Sequence, residues 1–122
     1  MTSVLIIDDQ PVFRRQLKNL LLFAGMTVVG EARDLISGEQ IARNKKPDIA
    51  VVDVMLPGES GLVGAKRLKD AAKGIRIFLV SAHHDSADLF SQLAEETGAE
   101  AFIPKDALDL EFVCKWMEKK KP

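Results

Sequence analysis

The chain has 122 residues, 47% of them hydrophobic and 29% charged, the length and make-up of one globular domain and not of a disordered segment. A net charge of −1 and a pI near 6.1 leave no basic footprint for direct contact with nucleic acid or with an anionic membrane. Cys114 has no second cysteine to pair with, no apolar run approaches the ~20 residues of a spanning helix, and no basic region precedes the apolar run at the N-terminus, so the expectation is a cytoplasmic protein.

In chain order, the first apolar run, "SVLII" (3–7), reads as a strand that ends on two adjacent carboxylates, Asp8 and Asp9. Pro11 then starts a helix in which Phe13, Leu17, Leu20, Leu21 and Ala24 share one face, and Gly25 ends it. The run "TVVGEA" (27–32) gives a second strand, and Asp34 caps a helix over 35–46 that Pro47 closes. A third strand, "DIAVVDV" (48–54), carries Asp53 at its end and precedes a helix over 61–73 with Gly74 behind it. A fourth, "IRIFLV" (75–80), runs into Ser81 and Ala82, followed by a helix over 86–97 stopped by Gly98. The last strand, "EAFI" (100–103), leads to Pro104 and Lys105 and a helix over 107–119 capped by Asp106.

Five alternations of strand and helix predict a parallel sheet with helices on both faces, because each parallel crossover needs a helix. In such a sheet the ligand site lies beyond the carboxyl ends of the strands. Asp8, Asp9, Asp53, Ser81 and Lys105 all fall there. Carboxylates brought together raise one another's pKa unless a cation intervenes. Mg²⁺ suits such a set, since it takes one or two carboxylates, keeps several waters and completes its shell from a phosphoryl group. His83 and His84 are adjacent in the sequence, point apart and do not make a chelating pair.

At these positions the chain resembles the receiver domain of two-component response regulators over its whole length. The resemblance runs from the "DD" at 8–9 through "DVMLPGESG" (53–61) and "SA" (81–82) to "FIPK" (102–105). Each motif alone is common; all four in order on five strand–helix units are specific. The resemblance implies a single receiver domain over 1–122, a doubly wound, flavodoxin-like five-stranded α/β fold with strand order 2-1-3-4-5. It implies that Asp53 accepts a phosphoryl group from a phosphohistidine of a histidine kinase or a histidine phosphotransfer protein. Asp9, Asp53 and the carbonyl of Met55 would ligate Mg²⁺, with Asp8 acting through a water. Lys105, Ser81 and the amide of Ala82 would hold phosphoryl oxygens, and Phe102 would move inward when Ser81 shifts. Pro104 is expected to be cis. The chain would catalyse its own phosphorylation and dephosphorylation without turning over an external substrate. Departures from the pattern are small: Leu56 separates Met55 from Pro57, Leu35 stands where a glycine is common, and Ser81 replaces threonine.

Other classes fit less well. A flavin or nucleotide binder of this topology needs a phosphate-cradling glycine loop after the first strand, where "DDQP" (8–11) offers carboxylates. A phosphatase of the haloacid dehalogenase type needs D-x-D there and a cap domain. A receiver that binds a partner without being phosphorylated has no use for an intact acid pocket. Leu22 and Phe23 lie off the core face of the first helix, with Val12 near Phe23 on the wheel, and are expected to dock the kinase. Helix five carries two apolar stripes, Leu108, Phe112 and Trp116 on one and Leu110, Val113, Cys114 and Met117 on the other, more than one packed side requires. The resemblance implies that the face of helix four, strand five and helix five changes on phosphorylation, and with the excess apolar stripe contributing it is expected to strengthen homodimer or partner contacts. Whether the chain stands alone or precedes a helix-turn-helix output domain, as "VVGEA" (28–32) hints, stays open.

Overall fold

A computed structural model describes residues 1–56, 61–82 and 97–117. The five expected strands form one parallel sheet: β1 (Ser3–Ile7), β2 (Thr27–Ala32), β3 (Ile49–Asp53), β4 (Arg76–Ser81) and β5 (Ala101–Pro104), in the order β2-β1-β3-β4-β5. Helices α1 (Pro11–Phe23), α2 (Leu35–Lys45) and α3 (Gly61–Ala71) follow the first three strands. Residues 86–96 of the helix expected over 86–97, with His83, His84 and Pro57, lie outside the described residues.

Alternation along the strands builds two cores. Leu5, Ile7, Ala50, Val52, Ile77 and Leu79 face Leu35 and Ala42 of α2 and Ala65 and Leu68 of α3. Val4, Ile6, Ile49, Val51, Phe78 and Val80 face Leu17 and Leu21 of α1 together with Val113 and Trp116 near the C-terminus. Both faces are covered, which is why β1, β3 and β4 are apolar without polar interruption. Gly38 lets α2 lie close on the sheet: a Cβ there would stand 2.8 Å from Ile7 Cγ1.

The helix ends follow the punctuation. Pro11 opens α1, and Gly25 behind it takes φ +91°, open to glycine at no steric cost. Asp34 accepts a hydrogen bond from the Ser37 amide at 2.8 Å and caps α2.

Two expectations are corrected near the C-terminus. The bond before Pro104 is trans, as are all peptide bonds among the described residues; Pro104 keeps an extended backbone at φ −59°, ψ 137° and stays in register with Ser81 of β4, which the ordinary trans form allows. The cap of the last helix is Asp109, not Asp106. Lys105–Ala107 form a 3₁₀ turn, Leu108 returns to an extended backbone, and Asp109 accepts from the Phe112 amide at 2.8 Å to start Leu110–Cys114. A second 3₁₀ turn, Lys115–Met117, follows. These breaks disrupt the regular 100° spacing, so both expected stripes are split. Val113 and Trp116 are buried, Leu108 and Met117 pack beside them, and Leu110 and Phe112 are exposed.

The C-terminal segment is tied to the sheet by an aromatic stack and an arginine. The Phe78 and Trp116 rings lie 4.4 Å apart and 13° from parallel. Arg76 holds Glu100 with two hydrogen bonds (2.6 and 3.1 Å), donates to the Trp116 carbonyl at 2.6 Å, and lies over the Phe78 ring at 5.5 Å.

Candidate functional site

Parallel strands that end together bring their next residues together. Asp8 follows β1 and is fixed there by its amide, which donates to the Ala32 carbonyl of β2 at 2.9 Å. Asp53 ends β3, Ser81 ends β4 opposite Pro104, and Lys105 comes one residue after β5. Asp8, Asp53 and Ser81 are buried; Asp9, Met55 and Ala82 are exposed. Phe102 is half-buried on β5 and packs against the α2–α3 core. Carboxylate oxygens of Asp8, Asp9 and Asp53 lie within 4.8 Å of one another.

The Lys105 ammonium sits among these acids, 2.7 Å from Asp8 Oδ2 and 3.2 Å from Asp53 Oδ2. It also donates to Gln10 Oε1 at 3.0 Å and lies 4.4 Å from the centre of the Phe13 ring. The other Asp8 oxygen accepts from the Gln10 amide at 2.8 Å, and the Asp8 carbonyl accepts from Arg14 at 2.6 Å. Arg14 is itself 3.5 Å from Glu31 on β2. Asp53 Oδ1 accepts from the Met55 amide at 2.8 Å, which sets residue 55 directly beside the carboxylate.

Burial pushes the Asp8 pKa up, against the opposing pull of Lys105 and the Gln10 amide, while the Asp53 charge adds to the rise. One ammonium among three acids thus leaves Asp8 incompletely compensated, and a hard divalent cation fits this oxygen donor set. Asp9 gives such an ion an exposed carboxylate, and it also lines a cavity of about 440 Å³ with Pro11, Arg14, Arg33 and Asp34.

Asp8, Asp9, Asp53, Met55, Ser81, Ala82 and Lys105 all stand at this one edge, and Phe102 lies two positions before the end of β5. Gln10, Phe13 and Arg14 were missed as members. Phe13 reads from the sequence as part of the apolar face of the first helix, and Gln10 and Arg14 carry no motif of their own. The available signal was their place in the turn after "DD", facing the same strand ends. On the outer side of α1, Val12, Leu22 and Phe23 are exposed, Phe23 at 84%. Phe23 also borders an apolar groove of about 580 Å³ with Leu20, Leu108 and Leu110. No described helix is long and apolar enough to cross a membrane.

Residues 4–114 match the family model described as the response regulator receiver domain. The nitrate/nitrite response regulator protein NarL of Escherichia coli K12 is 32% identical over 105 residues, covering 85% of this chain and 48% of that protein. The virulence regulator BvgA of Bordetella pertussis, named a putative positive transcription regulator, is 35% identical over 103 residues, 84% of this chain and 48% of that one. This chain therefore spans about half the length of the curated relatives it matches. The signal receiver domain of the response regulator NarL from Mycobacterium tuberculosis superposes with a TM-score of 0.83 at 29% identity, covering 94% of this chain and 91% of that one.

Proposed function

This chain belongs to the response regulator receiver domain family of two-component systems, and from that premise we propose that it is a switch thrown by phosphorylation of Asp53. An Asp53 oxygen attacks the phosphorus of a phosphohistidine on a histidine kinase or histidine phosphotransfer protein. The P–N bond breaks, its electron pair returns to the imidazole, and a mixed carboxylic–phosphoric anhydride forms on Asp53.

The observation that carries this reading is the Lys105 ammonium held between Asp8 and Asp53, with a third carboxylate within 4.8 Å. Phosphoryl transfer asks a protein mainly for positioning and for charge neutralisation. Asp53 is the acid for this task because it is buried at a strand end with Oδ1 fixed by the Met55 amide, which leaves Oδ2 at the Lys105 side. Asp9 and Asp53, with the Met55 carbonyl, would hold Mg²⁺, and Asp8 would act through a water. When bound, the ion neutralises charge on the phosphoryl oxygens. Lys105 pairs with one phosphoryl oxygen, and the Ser81 hydroxyl and Ala82 amide take others. Ser81 lies opposite Pro104 in the β4–β5 pairing, and Phe102 opposite Leu79. A shift of Ser81 is thereby passed to β5, with Phe102 turning inward and the face that includes β5 and the C-terminal helix changing its affinity for a partner, a second copy or an output domain. The exposed Val12, Leu22 and Phe23 of α1 dock the kinase.

Intact-mass measurement with acetyl phosphate tests the reading. Wild type should gain one phosphate only when Mg²⁺ is present, and Asp53→Ala should gain none. A phosphate adduct of equal yield in Asp53→Ala would refute it.

A further inference from the structure

We propose that Gln10 and Phe13 form a seat that positions the Lys105 ammonium for the reaction at Asp53. The inference rests on the phosphorylation reading above and adds two positioning residues to it. A lysine carries its charge on a long flexible stem, and fixing that stem costs rotamer entropy. The Lys105 ammonium donates hydrogen bonds to Asp53 Oδ2 and Gln10 Oε1 and stands in ion-pair contact with Asp8 Oδ2, an oxygen with no hydrogen-bond partner of its own. The Phe13 ring lies 4.4 Å away, within the range at which its negative face attracts a cation.

These four partners differ in what the reaction does to them. Asp53 is consumed as the nucleophile, and Asp8 belongs to the acid set that fits a divalent cation. Both charged partners of Lys105 therefore change as the site is loaded. Gln10 and Phe13 carry no charge and take no part in bond making, so they hold the ammonium while its other partners change. An amide suits this place better than a carboxylate, which would compete with the phosphoryl group for Lys105.

The local fold leaves both residues available. Gln10 is the N-cap of α1, yet its side chain makes no capping hydrogen bond, so the amide reaches Lys105 across 95 residues of sequence. Pro11 starts the helix and sets Phe13 in its first turn. Phe13 packs at the edge of the α1 core, which fixes the plane of its ring.

The test is a double-mutant cycle on the intact chain, labelled by acetyl phosphate at saturating Mg²⁺. Gln10→Ala and Phe13→Leu should each slow labelling about three- to tenfold, the range that one hydrogen bond to a charged group or one cation–π contact supplies. The Mg²⁺ midpoint should stay where it is in wild type. In a Lys105→Ala background neither change should slow labelling further, because the group they position is gone. Single variants at the wild-type rate, or an equal slowing in both backgrounds, would overturn the seat. Proton NMR supplies a readout that needs no phosphorylation. The Lys105 ε-methylene protons should be shifted upfield by the Phe13 ring in wild type, and lose that shift in Phe13→Leu and part of it in Gln10→Ala. Unshifted protons in wild type would overturn the seat by themselves. A wild type that takes no phosphate refutes the functional reading; a labelled wild type with unaffected variants refutes the seat alone.

Discussion

Replacing Arg76 by methionine should destabilise the protein by about 2–3 kcal/mol, most of it through loss of the tie between β4 and the C-terminal segment. Both members of the Arg76–Glu100 pair keep about a quarter of their side chains in solvent (27% and 25%), so the pair is assigned a surface value of about 0.5–1 kcal/mol despite its two-pronged geometry. The hydrogen bond to the Trp116 carbonyl comes from a charged donor and is worth about 1.5 kcal/mol. The contact over Phe78 adds about 0.5 kcal/mol. Methionine keeps the apolar cover over that ring. With a urea m-value of about 1.5 kcal/mol per molar, the midpoint should fall by roughly 1.5–2 M. Trp116, the only tryptophan of the chain, reports the transition by fluorescence. Glu100→Gln should lose only the ion-pair share and shift the midpoint by less than half as much. If the two variants are equally destabilised, the bond to the Trp116 carbonyl carries nothing and the reasoning is wrong.

Gly38→Ala should cost about 1–2 kcal/mol in urea denaturation, because overpacking against the stiff, fully buried Ile7 outweighs a helix-propensity gain of up to ~1 kcal/mol. In metal-free protein at neutral pH, Asp8→Asn should melt higher than wild type, and its rise in Tm on adding Mg²⁺ should be smaller. The folded pKa of Asp8 lies above its unfolded value of 3.8, so its contribution is fully present below 3.8 and lost as pH rises through the folded pKa. A lower metal-free Tm for the variant would contradict that sign. Asp34 has the opposite dependence: the Ser37 amide holds its pKa below 3.8, so its stabilisation is present above 3.8 and lost as pH falls through the folded pKa. A pH titration of Tm should therefore show a smaller acid-side loss in Asp34→Asn than in wild type.

The fold was legible because its determinants are local. Apolar runs such as "IAVV" and "IFLV" read as strands covered on both sides, and Pro11, Gly25 and Asp34 acted at the helix ends where their backbone chemistry places them. The acid cluster was legible for a topological reason: in a parallel sheet the residues after successive strands share one edge, so Asp8, Asp9, Asp53 and Lys105 had to meet. Ambiguity entered where two residues could serve the same local role. Asp106 and Asp109 are both good caps, and the choice between them depends on the 3₁₀ turn that leaves β5. The seat around Lys105 and the clasp of Arg76 on Trp116 were not legible at all. They join residues 95 and 40 positions apart, and no spacing rule along the chain encodes which long side chain will reach which partner.

The central claim is that one carboxylate of the three, Asp53, takes the phosphoryl group. Borohydride reduction of the acetyl phosphate-treated protein converts an aspartyl phosphate to homoserine, and tandem mass spectrometry of the resulting peptides locates it. Homoserine is expected at position 53 in the Mg²⁺-treated sample and at no position without the ion. Homoserine at position 8 or 9, or its absence from position 53 in a chain that has gained the mass of one phosphate, would contradict it.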